Sequence, residues 1–172
     1  NEEIEAPVEE VIRENLVEVA PKAGKIKKVT TNEELGTTEW TLSNGVRVVI
    51  KPTEFKQDEI LFSAFSKGGQ SLVATEDLVS AALATDVVSV SGIADMTMTD
   101  LQKALTGKNV SCSPSINANT ESIDGGSTVK DLETLLQLNY LYFTAPRRDE
   151  DAYAMLMSIL ESQLANRDKN PK

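Results

Sequence analysis

The chain has 172 residues, enough for one domain with its own core, and a formal net charge of -10. That acidic balance repels phosphate backbones and anionic lipid, which excludes nucleic acid as a partner. No stretch reaches the roughly 18 consecutive apolar residues of a membrane helix, and the opening NEEIEAPVEE has neither the basic start nor the apolar run of a signal peptide.

Residues 1–36 are rich in Glu, Lys and Val and are broken by Pro7 and Pro21. A short helix fits VEEVIRENLVEV, but the stretch has no aromatic residue, and it reads as a linker or interdomain connector lying along a surface. From Trp40 the pattern becomes that of strands. Trp40 and Leu42 precede Asn44-Gly45, and Val46, Val48 and Ile50 then alternate with Arg47 and Lys51. Asn-Gly between alternating apolar runs predicts a hairpin with a type I′ turn, in which both central residues need positive φ. Pro52 closes the second strand, and ILFSAFS supplies a third before Gly68-Gly69, so three consecutive strands are expected to form one antiparallel sheet.

Thr75 offers an N-cap, with Glu76 and Asp77 in the first turn, and Leu78, Val79, Ala82, Leu83, Val87 and Val90 recur at helical spacing up to Gly92. A second, shorter helix is expected to open with Thr99 and Gln102 as a capping box and to close at Gly107. NVSCSPSINANTESIDGG reads as a pair of strands, and Pro114 places one of them at an edge or a bulge. A helix from Thr128 to Phe143 would turn Val129, Leu132, Leu135, Leu136 and Tyr140 inward. After Pro146, Asp149 starts a last helix with Ala152, Met155, Leu156, Ile159 and Leu160 inward. Strands segregated from helices and joined by hairpins give an α+β fold, a mainly antiparallel sheet with helices packed on one face.

Few residues invite chemistry. The chain has no histidine, so neither a Ser-His-Asp nor a Cys-His arrangement can form. The single cysteine, Cys112, can make no intrachain disulfide and reads as a small strand residue. Met155 and Met157 read as core filler. The carboxylate clusters Glu76-Asp77 and Asp149-Glu150-Asp151 lie at helix starts, where the dipole explains them. The glycines of KGG and IDGGS lack the spacing of a phosphate loop and read as turns.

Four segments, taken in order, resemble the peptidase M16 family of insulinase- and pitrilysin-like zinc metallopeptidases. LSNGVRVVI resembles its opening strand, FSKGGQSL the strand that ends in glycine before the metal-site helix, INANTESI the strand bordering the substrate cleft, and DLETLLQLNYLYFTAPRRDEDAY its helix–proline turn–helix. Together they cover the chain from Trp40 to its end. In active members the helix after that glycine carries His-x-x-Glu-His, two zinc ligands one turn apart with the Glu as general base. The alignment places Thr85, Val88 and Ser89 at those three positions, and Glu161 at that of the family's third ligand. A lone carboxylate does not hold zinc, so Glu161 reads as a helix-surface residue.

The resemblance therefore implies no catalytic, cofactor-binding or metal-ligating residue in this chain. It implies the first domain of the non-catalytic C-terminal half of such a protein, with residues 1–36 as the connector and 37–172 as the domain, truncated at its C-terminus. Zinc is expected in the catalytic half of the parent. The implied partners are that half and a peptide substrate, which the chain would help to enclose, with Ser115 to Glu121 in the place where the family aligns an extended peptide. The other reading is a scaffold module without peptidase activity, like the core subunits of the respiratory cytochrome complex. The compartment stays open, with the bacterial periplasm or cell envelope as the candidate.

Overall fold

A computed structural model describes Arg13 and residues 15–167. The chain divides into two compact units, one formed by residues 17–59 and the other by residues 1–16 together with 60–172.

The smaller unit is a three-stranded antiparallel sheet in the order β1 (Ile26–Asn32), β2 (Thr37–Leu42), β3 (Arg47–Ile50). Strand β1 lies inside the stretch expected to be a linker; its register pairs Val29 with Trp40 and Thr31 with Thr38. Lys-rich IKKVTTN carries little apolar alternation, so its strand character depends on the partner edge that β2 offers. The β2–β3 hairpin sits where Asn44-Gly45 placed it, but its turn differs from the expected type. Gly45 has φ 90 while Asn44 keeps a negative φ, and Gly45 N–H donates to Leu42 O over 3.0 Å. This is a type I turn followed by a left-handed glycine, the three-residue alternative to type I′. The Asn44 side chain instead accepts Val46 N–H at 3.1 Å.

The larger unit contains a second antiparallel sheet in the order β4 (Ile60–Lys67), β6 (Thr120–Ser127), β5 (Val110–Ile116). The expectation that β4 continues the β2–β3 sheet is thus corrected: β4 pairs along its whole length with β6, from Ile60 opposite Ser127 to Lys67 opposite Thr120. Adjacency in sequence suggested one sheet, but the fully matched eight-residue register with β6 wins. Pro114 lies in β5, at the edge of the sheet, as its missing N–H requires.

Helices α1 (Leu78–Ser91), α2 (Met98–Ala104), α3 (Leu132–Thr144) and α4 (Glu150–Asn166) complete this unit. Helices α1 and α3 pack on the sheet, and α4 packs against α1, giving the α+β architecture expected. The core gathers Ile93, Met96, Leu101, Ala104, Ile123, Leu135, Leu138 and Leu141.

Several helix details differ from the sequence reading. Thr75 opens a short 3₁₀ turn, Thr75–Asp77, rather than capping α1, and no side chain caps α1. The capping box of α2 is Thr97 with Asp100, two residues before the pair expected; Asp100 N–H donates to Thr97 Oγ1 at 3.2 Å and Thr97 N–H to Asp100 Oδ2 at 3.2 Å. Helix α3 turns Thr134, Leu135, Leu138 and Leu141 inward and leaves Leu136 and Tyr140 exposed, the inward face being the one packed on β5 and β6. Val129, before the helix, is exposed too. In α4, Asp149 caps Ala152 N–H as expected, at 3.1 Å. Ala152, Leu156 and Leu160 are half-buried there, while Met155 and Ile159 face outward. No described helix is long and apolar enough to cross a membrane.

Candidate functional site

The site is built around the turn that leads from β4 into the helical layer. Gly68 and Gly69 have φ of 144 and 56, values that a side chain would strain, and Gly69 is packed against the backbone of Asn117 and Thr120. The carboxylate of Glu121 on β6 reaches back over this turn, accepting from Ser66 Oγ at 2.6 Å and from Gly69 N–H. These two donors, Ser66 first, hold the Glu121 carboxyl below the ordinary glutamate range. The turn thus depends on three local features: two glycines for backbone shape, a serine, and an acid two residues into the neighbouring strand.

The same turn clasps the loop between β5 and β6. Gly68 N–H donates to Asn119 O, Gln70 N–H to Asn117 O and Ser71 N–H to Ala118 O, each at 2.9 Å. This bears on residues 115–121, the segment expected to border an extended peptide. Only Ser115 and Ile116 lie on an edge strand; Asn117, Ala118 and Asn119 spend their carbonyls on the glycine turn, and Thr120 and Glu121 belong to the central strand, paired on both sides. Within this segment, then, only Ser115 and Ile116, at the end of β5, lie at an edge of the sheet.

Helix α1 follows the turn, and the expected metal-site positions fall on it: Thr85 and Val88 half-buried, Ser89 exposed. Glu161 lies on α4, the helix packed against α1, and is exposed. The fold packs together the two helices on which the resemblance aligns the ligand positions, α1 and α4, but the side chains there do not fit the metal. A hydroxyl of Thr85, an isopropyl of Val88 and a hydroxyl of Ser89 supply no imidazole, and no cluster of three or more Cys, Asp or Glu suited to a metal occurs among the described residues. No step through a metal can be derived from this chain.

The remaining reactive group is also muted. Cys112 is half-buried on β5 near Tyr142 of α3, and burial pushes its thiol up to about 11. Met157 is half-buried and Met155 exposed, and neither belongs to a ligand set. The clasp by Glu121 was not legible beforehand, since it joins residues far apart in sequence; a signal, had one been sought, was an acid directly after an Asn-Ala-x-Thr strand opening.

No family profile matches the chain. It is 30% identical over 164 residues to a zinc protease PQQL-like protein of Arabidopsis thaliana, an alignment covering 95% of this chain and 15% of that protein. The fold superposes on the ferredoxin protease FusC, solved as a variant in complex with Arabidopsis ferredoxin, with TM-score 0.77 and 28% identity, covering 88% of this chain and 17% of FusC. It superposes equally on the periplasmic protease PqqL of Escherichia coli, with TM-score 0.77 and 22% identity over 91% of this chain and 17% of PqqL, a likeness of fold. The chain thus spans about one sixth of each relative's length. Sequence similarity running along nearly the whole chain, together with the superposition on these two proteases, supports an M16 peptidase-like domain.

Proposed function

We propose that this chain is a non-catalytic domain of a larger M16-type zinc metallopeptidase, the first domain of its C-terminal half, which helps to enclose and position a peptide for hydrolysis by the zinc-bearing half. The observation that carries this reading is a helix in the metal-site position, α1, standing on its glycine turn with Thr85, Val88 and Ser89 where ligands would be. The scaffold is retained and the chemistry is not. The coverage of about one sixth of each relative supports a piece of a longer machine.

In this reading the chain contributes surface: a β5 edge of backbone donors and acceptors, and an outer face of the β4–β6–β5 sheet on which hydroxyls lie beside the exposed side chains of Leu61 and Phe65. On that face Ser63 Oγ donates to Asp124 at 2.7 Å, Ser122 Oγ to the same carboxylate at 3.0 Å, and Ser115 and Ser122 hydroxyls meet at 2.8 Å. Such a wall offers adaptable hydrogen bonding together with exposed apolar contact at Leu61 and Phe65, which suits many peptide sequences rather than one. Its partners are the catalytic half of the same polypeptide and a peptide or small protein; FusC is solved with a ferredoxin. The compartment proposed is the bacterial periplasm or cell envelope.

The test uses the full-length parent protein, assayed on unfolded peptides with and without a chelator. Chelator-sensitive hydrolysis that depends on a His-x-x-Glu-His motif outside this chain supports the proposal. A parent without that motif and without hydrolysis supports the scaffold reading instead.

A further inference from the structure

We propose that Arg13, Asn15 and Leu16 form a salt-sensitive strap, a latch held on a receptor formed by the α1–α2 turn and α3. The two guanidinium nitrogens of Arg13 bond both oxygens of Asp95, at 2.9 and 2.6 Å, across 82 residues of sequence. Three residues on, Leu16 is buried to 4% exposure, and its N–H donates to Gln137 Oε1 at 2.7 Å. Gln137 is itself oriented from α3, its amide nitrogen lying 3.2 Å from Glu133 Oε1 and 3.4 Å from Asn15 Oδ1.

The receptor is shaped in advance. Gly92 and Ala94 both have positive φ, at 92 and 53, and Ile93 between them is fully buried, bridged to Met96 and Pro146. A non-glycine residue in the left-handed region is held there by its surroundings, and Ala94 N–H donates to Ala145 O at 2.9 Å. This turn thrusts the Asp95 carboxylate outward. The charged groups facing it are Arg13 from the strap and Arg147 from the α3–α4 turn, both of which favour its ionised form. Arg147 is already engaged with Asp149 at 2.8 Å, which leaves Arg13 as the bidentate partner.

The balance of forces explains why such a strap is releasable. Both members of the Arg13–Asp95 pair are substantially solvent-exposed, so ions screen the pair, whereas Leu16 is sequestered from water. Among the described residues the latch therefore combines a specific but weak ionic contact with an apolar anchor, Leu16. This inference is independent of whether the parent cuts peptides.

The experiment is hydrogen exchange at the Leu16 amide in the whole chain, with β6 amides as the internal reference. The strap predicts that Leu16 exchanges at least about tenfold slower than in an unstructured peptide. Arg13→Ala and Asp95→Ala each speed it by about threefold to fivefold, the double variant by no more than either alone, and 1 M salt by a similar factor. The charge swap, Arg13→Asp with Asp95→Arg, restores the protection. Exchange of Leu16 at the free-peptide rate, or a rate unchanged by Arg13→Ala, overturns the proposal.

Discussion

The carboxylate of Glu121, in the first turn of pairing of β6, accepts the backbone N–H of Gly69, 52 residues earlier, and so ties the glycine turn before α1 to the central strand of the sheet. The pairing decides how β4 hands over to the helical layer. It also decides how the fold responds to acid. Because the Glu121 carboxyl titrates below the ordinary glutamate range, its contribution is fully present above the unfolded value and is lost as pH falls through the folded one.

Glu121→Gln should therefore lower the melting temperature by a few degrees at pH 7, and the difference from the parent sequence should shrink as pH drops below 4.5. Asp100, Asp131 and Asp149 are lowered by their own hydrogen bonds, chiefly from Thr97, Asn109 and Arg147 respectively, and they add to the general acid sensitivity of both proteins. Melts at pH 7, 5 and 3.5 check this, and a constant gap across the series would count against the clasp.

Glycine substitutions should rank by what surrounds them. Gly69→Ala carries a left-handed penalty and drives its Cβ into the backbone of Asn117 and Thr120, costing about 2–5 kcal/mol. Gly45→Ala has open space around it and pays only for its φ of 90, about 1–2 kcal/mol. Helix melting by circular dichroism reads the first. Fluorescence of Trp40, the single tryptophan, reads the second in the small unit. Leu16→Ala should instead act locally, releasing the strap while leaving protection of the β6 amides unchanged.

Those contrasts mark how far the sequence could be read. Hairpin, helix and edge positions at Asn44-Gly45, Gly92 and Pro114 were legible because each depends on a local conformational demand that few residues meet. What escaped the reading was set by tertiary partners. Strand β1 needed β2 beside it, β4 chose β6 over its sequence neighbour, and the inward face of α3 was set by its packing on β5 and β6. The histidine pair that the family's motif needs is missing from the composition itself. Glu121 on Gly69, at the candidate site, and Arg13 on Asp95, in the strap, are long-range pairs that leave no mark on periodicity.

Cys112 should react slowly with alkylating reagents. With its thiol pushed up to about 11, the thiolate fraction at pH 8 falls by roughly two orders of magnitude against a free cysteine. Iodoacetamide labelling followed by mass spectrometry checks this. Labelling should become complete on unfolding in urea, and native labelling as fast as that of free cysteine would show that β5 does not shield the thiol.

Placing ligands back on α1 should not make an enzyme. Thr85→His, Val88→Glu and Ser89→His together supply the motif, yet Ser89 is exposed, and no described hydrogen bond waits to orient either imidazole. Ligands without such support bind metal weakly and misplace the attacking water. The triple variant is expected to take up zinc substoichiometrically and to leave peptides intact; chelator-sensitive turnover by it would mean that the missing ligands were the sole defect.

The most direct test of the central claim, that this domain retains the fold of a zinc peptidase without its chemistry, is mass spectrometry of an unfolded peptide such as insulin B chain incubated with the unmodified chain and zinc. The account predicts intact peptide at every time point. Cleavage products that vanish when a chelator is added would contradict it.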